Sequence, residues 1–293
     1  PFKLKSPSPR GRGAMEAAEP LPALRRGAAL EEAEALLVLL HGRAAFPRDL
    51  AGLADTLTES WPRACVLLPE GPMAQGLGRS WWEPPAAFDA SRPESWQPPE
   101  ALVWRLVATV KEALAECPGR PALVLGGFSM GSVLATQALA ALGSEGIGAA
   151  GLVVLSGYLD AVALGVAADY MPVSPKGDLH VFLSHGQGDQ VVPEALAHSA
   201  VNEVPEVAAI SARGVVLDTH FHSGGHELGE GTGEAIARWL QGLPGAPSGA
   251  SAAAAAAARP RARTPVAKSA FARRAMATLG QLALGRDVGG QKR

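Results

Sequence analysis

A serine held between two glycines is the first place in this chain where chemistry could occur. Gly127-Phe128-Ser129-Met130-Gly131 has the spacing of a sharp turn that lifts a hydroxyl clear of the backbone. The apolar run Ala122 to Leu125 precedes it and an apolar stretch from Met130 to Leu142 follows, so the serine falls between a strand and a helix. Such a turn puts the serine in strained backbone angles. The residues two before and two after it must be tiny, because a Cβ there would collide across the turn. A hydroxyl is a poor nucleophile at neutral pH unless a base takes its proton. The chemistry therefore asks for a histidine, with a carboxylate behind it to accept its Nδ1–H, fix the tautomer and stabilise the imidazolium.

Acid and base should follow the serine in that order. Asp189 stands at the end of Leu183-Ser184-His185-Gly186-Gln187-Gly188-Asp189, just past a predicted strand. His226 stands in His222-Ser223-Gly224-Gly225-His226-Glu227, past the next strand and before a helix. Both fall at the same sheet edge as Ser129. Asp160 and Asp218 are rival acids. His220 and His222 are rival bases, but they lie where a strand is still finishing and are expected to line the pocket mouth or face solvent. An oxyanion needs two backbone donors: the N–H of Met130, the residue after the serine, and that of Arg43 in Leu40-His41-Gly42-Arg43, where Gly42 lets the chain turn its amide inward. The segment from Pro69 to Pro99 is a long loop carrying Trp81, Trp82 and Trp96. Loops of that length are usually functional or mobile. One expectation is that Trp81 or Trp82 walls an acyl pocket near Ser129; the other is that the tryptophans pack the loop to the body.

The elements that must position these groups alternate along the chain. Short apolar runs at Ala35 to Leu40, Ala64 to Leu68, Ala122 to Leu125, Gly151 to Leu155, His180 to Ser184 and Val215 to Leu217 read as buried strands. Leu50, Leu53, Ala54, Leu57 and Trp61 recur at helical spacing, as do Leu102, Leu106, Val110 and Leu114, and a closing helix holds Ile236, Trp239 and Leu240. Apolar strands alternating with helices imply a doubly wound, mostly parallel α/β sheet covered on both faces. In such sheets ligands gather at the carboxyl ends of the strands.

Charge and composition narrow the partners. The chain of 293 residues has a formal net charge of −2, unevenly spread. Residues 1–14 carry +4 and residues 244–293 carry +8, nine basic residues against Asp287, which leaves −14 on residues 15–243. Such a body would repel a phosphate backbone, so no nucleic-acid partner is expected. Cys65 and Cys117, the two cysteines, make neither a disulfide scaffold nor a metal site. They suit a reducing, cytoplasmic compartment, although the basic segment 1–14 leaves organellar targeting open. No apolar run approaches the roughly 18 to 20 residues that span a bilayer. No phosphate loop or ligand cluster stands out, so neither metal nor cofactor is expected. Residues 1–34 read as linker, 35–243 as the single folded domain, and 244–293 as a low-complexity basic tail expected to be disordered. Phe271 to Leu284 could form a weakly amphipathic basic helix.

Together these stretches resemble the phospholipase/carboxylesterase family of α/β-hydrolases, which includes the acyl-protein thioesterases. The matching pieces are Leu39-Leu40-His41-Gly42-Arg43, Leu68-Pro69 to Ser80-Trp81, Gly127 to Gly131, Ser156-Gly157, His185-Gly186 to Asp189 with Val192-Pro193, and Gly225-His226. The resemblance implies the α/β-hydrolase fold, nucleophile Ser129, acid Asp189, base His226 and amide donors Arg43 and Met130. It also implies hydrolysis of carboxylic esters or thioesters through an acyl-serine, with a small-molecule, lipid or acyl ester as substrate and a monomer or homodimer as the assembly. Two positions depart from the family pattern. Met130 stands where many members have glutamine, and Ala44-Ala45 where a glycine is usual. Both bear on substrate preference more than on the chemistry. The competing expectation is a catalytically silent hydrolase fold acting as a binding module, which usually lacks part of the serine, acid and histidine set.

Overall fold

The computed structural model describes residues 18–83, 93–170, 178–211, 214–243 and 246. The basic segment 1–14 lies outside them, as does the expected tail 244–293 except for Ala246. The apolar runs form a seven-stranded sheet with β1 (Ala23–Gly27), β2 (Ala35–Leu40), β3 (Ala64–Pro69), β6 (Ala122–Phe128), β7 (Gly151–Leu155), β8 (Leu179–Gly186) and β9 (Val215–His222). Their spatial order is β1-β3-β2-β6-β7-β8-β9, parallel throughout except for β1 against β3. Two short strands, β4 (Met73–Gln75) and β5 (Gly78–Ser80), make a separate antiparallel hairpin inside the long loop after β3.

The helices are α1 (Ala51–Ser60), α2 (Glu100–Glu116), α3 (Met130–Ser144), α4 (Ala161–Tyr170), α5 (Glu194–Ile210) and α6 (Thr232–Gln241). Alternation of side chains along the strands divides the core in two. Leu36, Val38 and Leu40 of β2 face a layer with Leu106 and Val110 of α2, Leu134 and Leu139 of α3, Leu164 of α4 and Val204 of α5. Leu37 and Leu39 face Leu53 and Leu57 of α1 and Ile236 and Leu240 of α6. Both faces of the central strands are therefore buried, which is why those strands lack polar alternation. The connections reverse direction between β2 and β6, whose register brings Leu40 opposite Gly127. That switch opens a crevice at the strands' carboxyl ends, and the chemistry-bearing loops stand there.

Within the segment 1–34 that the sequence marks as linker, the structure differs. Ala23–Gly27 pairs with β3 along its length, and Leu21 and Leu30 are buried. The strand escapes notice because it is a sheet edge, with Arg25 and Arg26 in a run whose residues alternate between exposed and half-buried.

Candidate active site

At the end of β6 the chain turns abruptly into α3, and Ser129 sits at the corner with φ 54° and ψ −121°. A non-glycine residue held there stores about 1–3 kcal/mol of strain, so its surroundings must over-determine it. They do. A Cβ on Gly127 would lie 2.4 Å from the Gly131 carbonyl carbon, and one on Gly131 would lie 2.4 Å from the Leu40 carbonyl oxygen. The Ser129 N–H donates to Leu155 O at 2.8 Å, and the Ser132 hydroxyl donates to Ser129 O at 2.7 Å. The serine is thus clamped between β2, β7 and the first turn of α3, with its Oγ at the helix N-terminus, where the backbone's partial charge is positive.

Asp189 and His226 converge on it. His226 Nδ1 lies 2.7 Å from Asp189 Oδ2, and His226 Nε2 lies 2.9 Å from Ser129 Oγ. A carboxylate can only accept, so Nδ1 carries the hydrogen and Nε2 is left free to accept from the serine hydroxyl. The second carboxylate oxygen accepts the Val191 and Val192 amides at 2.8 and 2.9 Å. Burial works to raise the Asp189 pKa, but the His226 hydrogen bond and charge and the two amides outweigh it and hold the carboxyl below its ordinary value. Asp189 therefore stays ionised, which is what keeps the histidine in the tautomer that accepts. Chemically, this line of groups can take a proton from the serine and return it to a leaving group.

The loops that carry acid and histidine are fitted to each other. The Gln187 N–H donates to His222 O and the Gly188 N–H to Gly224 O, at 2.8 and 2.9 Å. Any side chain on Gly186 would strike the Gly225 carbonyl oxygen at 2.2 Å. The Ser156 hydroxyl donates to Glu227 O at 3.2 Å, tying the histidine loop to the end of β7. His185, wholly buried, donates from Nε2 to Val192 O at 2.8 Å and lies 3.5 Å from Asp189 Oδ2, bracing the acid loop from below.

On the other side of Ser129 the loop after β2 is pinned by a buried histidine. His41 Nδ1–H donates to Gly42 O at 2.7 Å, and its Nε2 accepts the Gly71 N–H at 3.0 Å. These two bonds require the neutral ring, and burial drives its pKa down to about 4 against the raising effect of the Gly42 carbonyl and the Asp49 charge. Trp81 stacks on that ring at 4.6 Å between centroids and donates its indole N–H to His41 O at 2.7 Å. The β4–β5 hairpin completes the brace. Ser80 Oγ accepts the Ala44 N–H at 2.9 Å, Ala45 pairs with Arg79, and Arg43 Nε donates to Gln75 Oε1 at 3.1 Å. The loop holding the Arg43 amide is thereby fixed beside the start of α3, where the Met130 amide lies.

Of the sequence candidates, the structure brings Ser129, Asp189 and His226 together. The rival acids stand apart from them. Asp160 accepts from Gln97 and Gln137 and caps the start of α4 through the Val162 and Ala163 amides, and Asp218 is exposed on β9. His222 is half-buried beneath the histidine loop, because the chain curls back over its ring after β9. Trp81, 1% exposed, packs within the brace described above, whereas Trp82 is 4% exposed with an indole N–H that lacks a partner among the described residues. Neither thiol offers a rival nucleophile, since Cys65 and Cys117 are buried and burial pushes the Cys65 pKa up to about 11. His41 is the supporting residue that sequence reasoning did not assign, its only signal being its place in a motif-bearing loop, while Trp81 fits the expectation that the tryptophans pack the loop to the body.

A parallel sheet wound on both faces, with a serine at a strained strand-to-helix turn at its switch point, defines an α/β-hydrolase. Residues 28–241 match the sequence profile of the phospholipase/carboxylesterase family, and the chain belongs to that family. Among solved structures, the fold is similar to the esterase PE8, with a TM-score of 0.60 and 22% identity over 76% of this chain and 98% of that one. It is also similar to a carboxylesterase from Mesorhizobium loti, with a TM-score of 0.54 and 18% identity over 77% of this chain and 97% of that one. The carboxylesterase of Bacillus cereus gives 0.54 and 19% over 75% and 92%. At these identities the likeness concerns the fold alone. No curated protein matches the chain closely enough to count as a relative. No helix among the described residues is long and apolar enough to cross a membrane.

Proposed function

We propose that this carboxylesterase/phospholipase-type hydrolase works through an acyl-serine intermediate, with Ser129 as nucleophile, His226 as general base and then acid, and Asp189 as the group that orients it. Ser129 Oγ attacks the ester or thioester carbonyl while its proton passes to His226 Nε2. The tetrahedral oxyanion is met by the Arg43 and Met130 amides, the carbonyl re-forms, and the alcohol or thiol leaves with the proton. Water then repeats the cycle on the acyl-serine. The observation that carries this reading is the continuous line from Ser129 Oγ through His226 to Asp189, at 2.9 and 2.7 Å. The structural neighbours described as esterases and carboxylesterases support the reaction class. Two buried free thiols suit a cytoplasmic setting.

The test is covalent labelling with a fluorophosphonate. Wild-type protein should label at Ser129, and Ser129→Ala and His226→Ala should both lose the label while remaining folded. A folded wild type that does not label would instead favour a silent binding module. For the acyl pocket, Trp82 is the remaining candidate wall, since Trp81 is engaged with His41. Trp82→Ala should therefore shift chain-length preference across a p-nitrophenyl ester series, and an unchanged preference would remove it from that role.

A further inference from the structure

His222, at the start of the loop that carries His226, has a place that neither the proposed chemistry nor the sequence explains. It ends β9, and the chain then leaves the sheet, carries His226 and returns. Its ring lies inside the loop so formed. A Cβ on Gly229 would sit 2.2 Å from His222 Cγ, and one on Gly224 would sit 2.9 Å from His222 Nδ1. The loop closes on the imidazole because both glycines lack a side chain. Within it, the Gly224 N–H donates to His222 Nδ1 at 3.2 Å, a side chain accepting from the amide two residues on. His222 Nε2 is buried with no partner among the described residues.

The geometry points to His222 as a positioning residue: its unprotonated Nδ1 and its ring hold the 224–229 loop in the shape that places His226 between Asp189 and Ser129. This rests on the proposed role of His226. Only an unprotonated Nδ1 can accept the Gly224 amide. A proton there would set two donors against each other at the start of the loop, two residues from His226. The surroundings keep the ring neutral. Burial lowers its pKa first, and His220 on β9 and His185 on β8 lower it further, while Glu227 in the same loop and Asp189 in the acid loop oppose them. Held below the ordinary histidine value, His222 keeps its lone pair to lower pH than an unperturbed histidine would. It gains a proton only on further acidification.

Two variants separate the parts of the argument. His222→Asn keeps an acceptor where Nδ1 stands, and His222→Phe keeps the ring but has no acceptor. With kcat and KM measured on a p-nitrophenyl ester, His222→Phe should lose about tenfold to hundredfold in kcat with KM little changed, as expected when a reacting group is displaced. His222→Asn should recover most of that loss. The acid limb of log kcat against pH should steepen from one proton to two in the wild type and keep a slope of one in His222→Asn. Equal loss in both variants, full activity in His222→Phe, or an unchanged acid limb in His222→Asn would each overturn the assignment. Fluorophosphonate labelling of the wild type and of Ser129→Ala, run alongside, reports separately on whether a serine hydrolase is present at all.

Discussion

At the scale of single residues, the site depends on which nitrogens carry hydrogens. His226 must donate from Nδ1 and accept at Nε2, and the ionised Asp189 enforces this. His41 is locked in the same tautomer by different means, its Nδ1–H on Gly42 O and its Nε2 on the Gly71 amide. That second lock bears on stability. The folded-state pKa of His41 is lowered from 6.5 to about 4, so between those values the unfolded chain binds a proton that the folded chain refuses. The contribution of the neutral ring is complete above about pH 6.5 and is lost as pH falls toward 4. A pKa difference of that size between the folded and unfolded chains corresponds to about 3 kcal/mol. Urea unfolding of wild type and His41→Gln at several pH values between 7 and 4 checks this. The wild type should lose about 3 kcal/mol more than the variant over that interval. Parallel pH dependences in the two proteins would mean that His41 is not the neutral group inferred here. The convergence of Ser129, Asp189 and His226 was legible in the sequence because serine, acid and histidine follow three strand ends in a fixed order. His41 and His222 were not, because a histidine that accepts an amide proton looks in sequence like any other histidine.

At the scale of elements, the strand-to-helix turns at the switch point were legible for a physical reason: strands buried on both faces must be apolar throughout, and helices between them must show one apolar stripe. Elements that lie outside that logic stayed hidden. The hairpin β4–β5 is short and has exposed Met73 and Leu77, so it shows no alternation. α5 contains Pro205, which interrupts a helical reading. The long segment from Pro69 to Pro99 therefore read as loop, although its first part is a structured brace. Trp81 shows what the brace is for. Its ring stacks on His41 and its indole N–H satisfies the His41 carbonyl, one residue from Gly42 and two from the amide proposed to meet the oxyanion. Trp81→Phe keeps the ring face and removes the donor. Leaving that buried carbonyl unsatisfied should lower stability by about 1–3 kcal/mol. Freeing the loop should lower kcat by about tenfold with little change in KM. Thermal unfolding and steady-state kinetics read the two effects separately. A variant with the wild-type kcat would show that the Arg43 loop is held by the Ser80 and Gly71 contacts without Trp81.

At the scale of the whole molecule, the open question is where the folded unit begins. Composition places the start at Ala35, the first apolar strand, and treats everything before it as linker. The sheet does not end there. β3 would be an open edge without β1, and β1 covers it in antiparallel register from Gly27 opposite Cys65 to Ala23 opposite Pro69. The segment also brings apolar side chains to the core. Leu21 and Leu30 are 4% and 1% exposed, and the Leu21 N–H donates to Thr109 Oγ1 on α2 at 2.8 Å. Fully burying one leucine side chain is worth about 2 kcal/mol, so these two alone contribute about 4 kcal/mol, a large part of the 5 to 15 kcal/mol by which domains are typically stable. A chain of residues 18–246 should therefore unfold in urea as one cooperative transition, and a chain of residues 35–246 should be destabilised by about 4 kcal/mol or more and tend to associate through the bared edge of β3. Size-exclusion chromatography alongside the urea titration distinguishes the two effects. If the shorter chain matched the longer one in both, β1 would be an ornament of the sheet, and the boundary read from composition would stand.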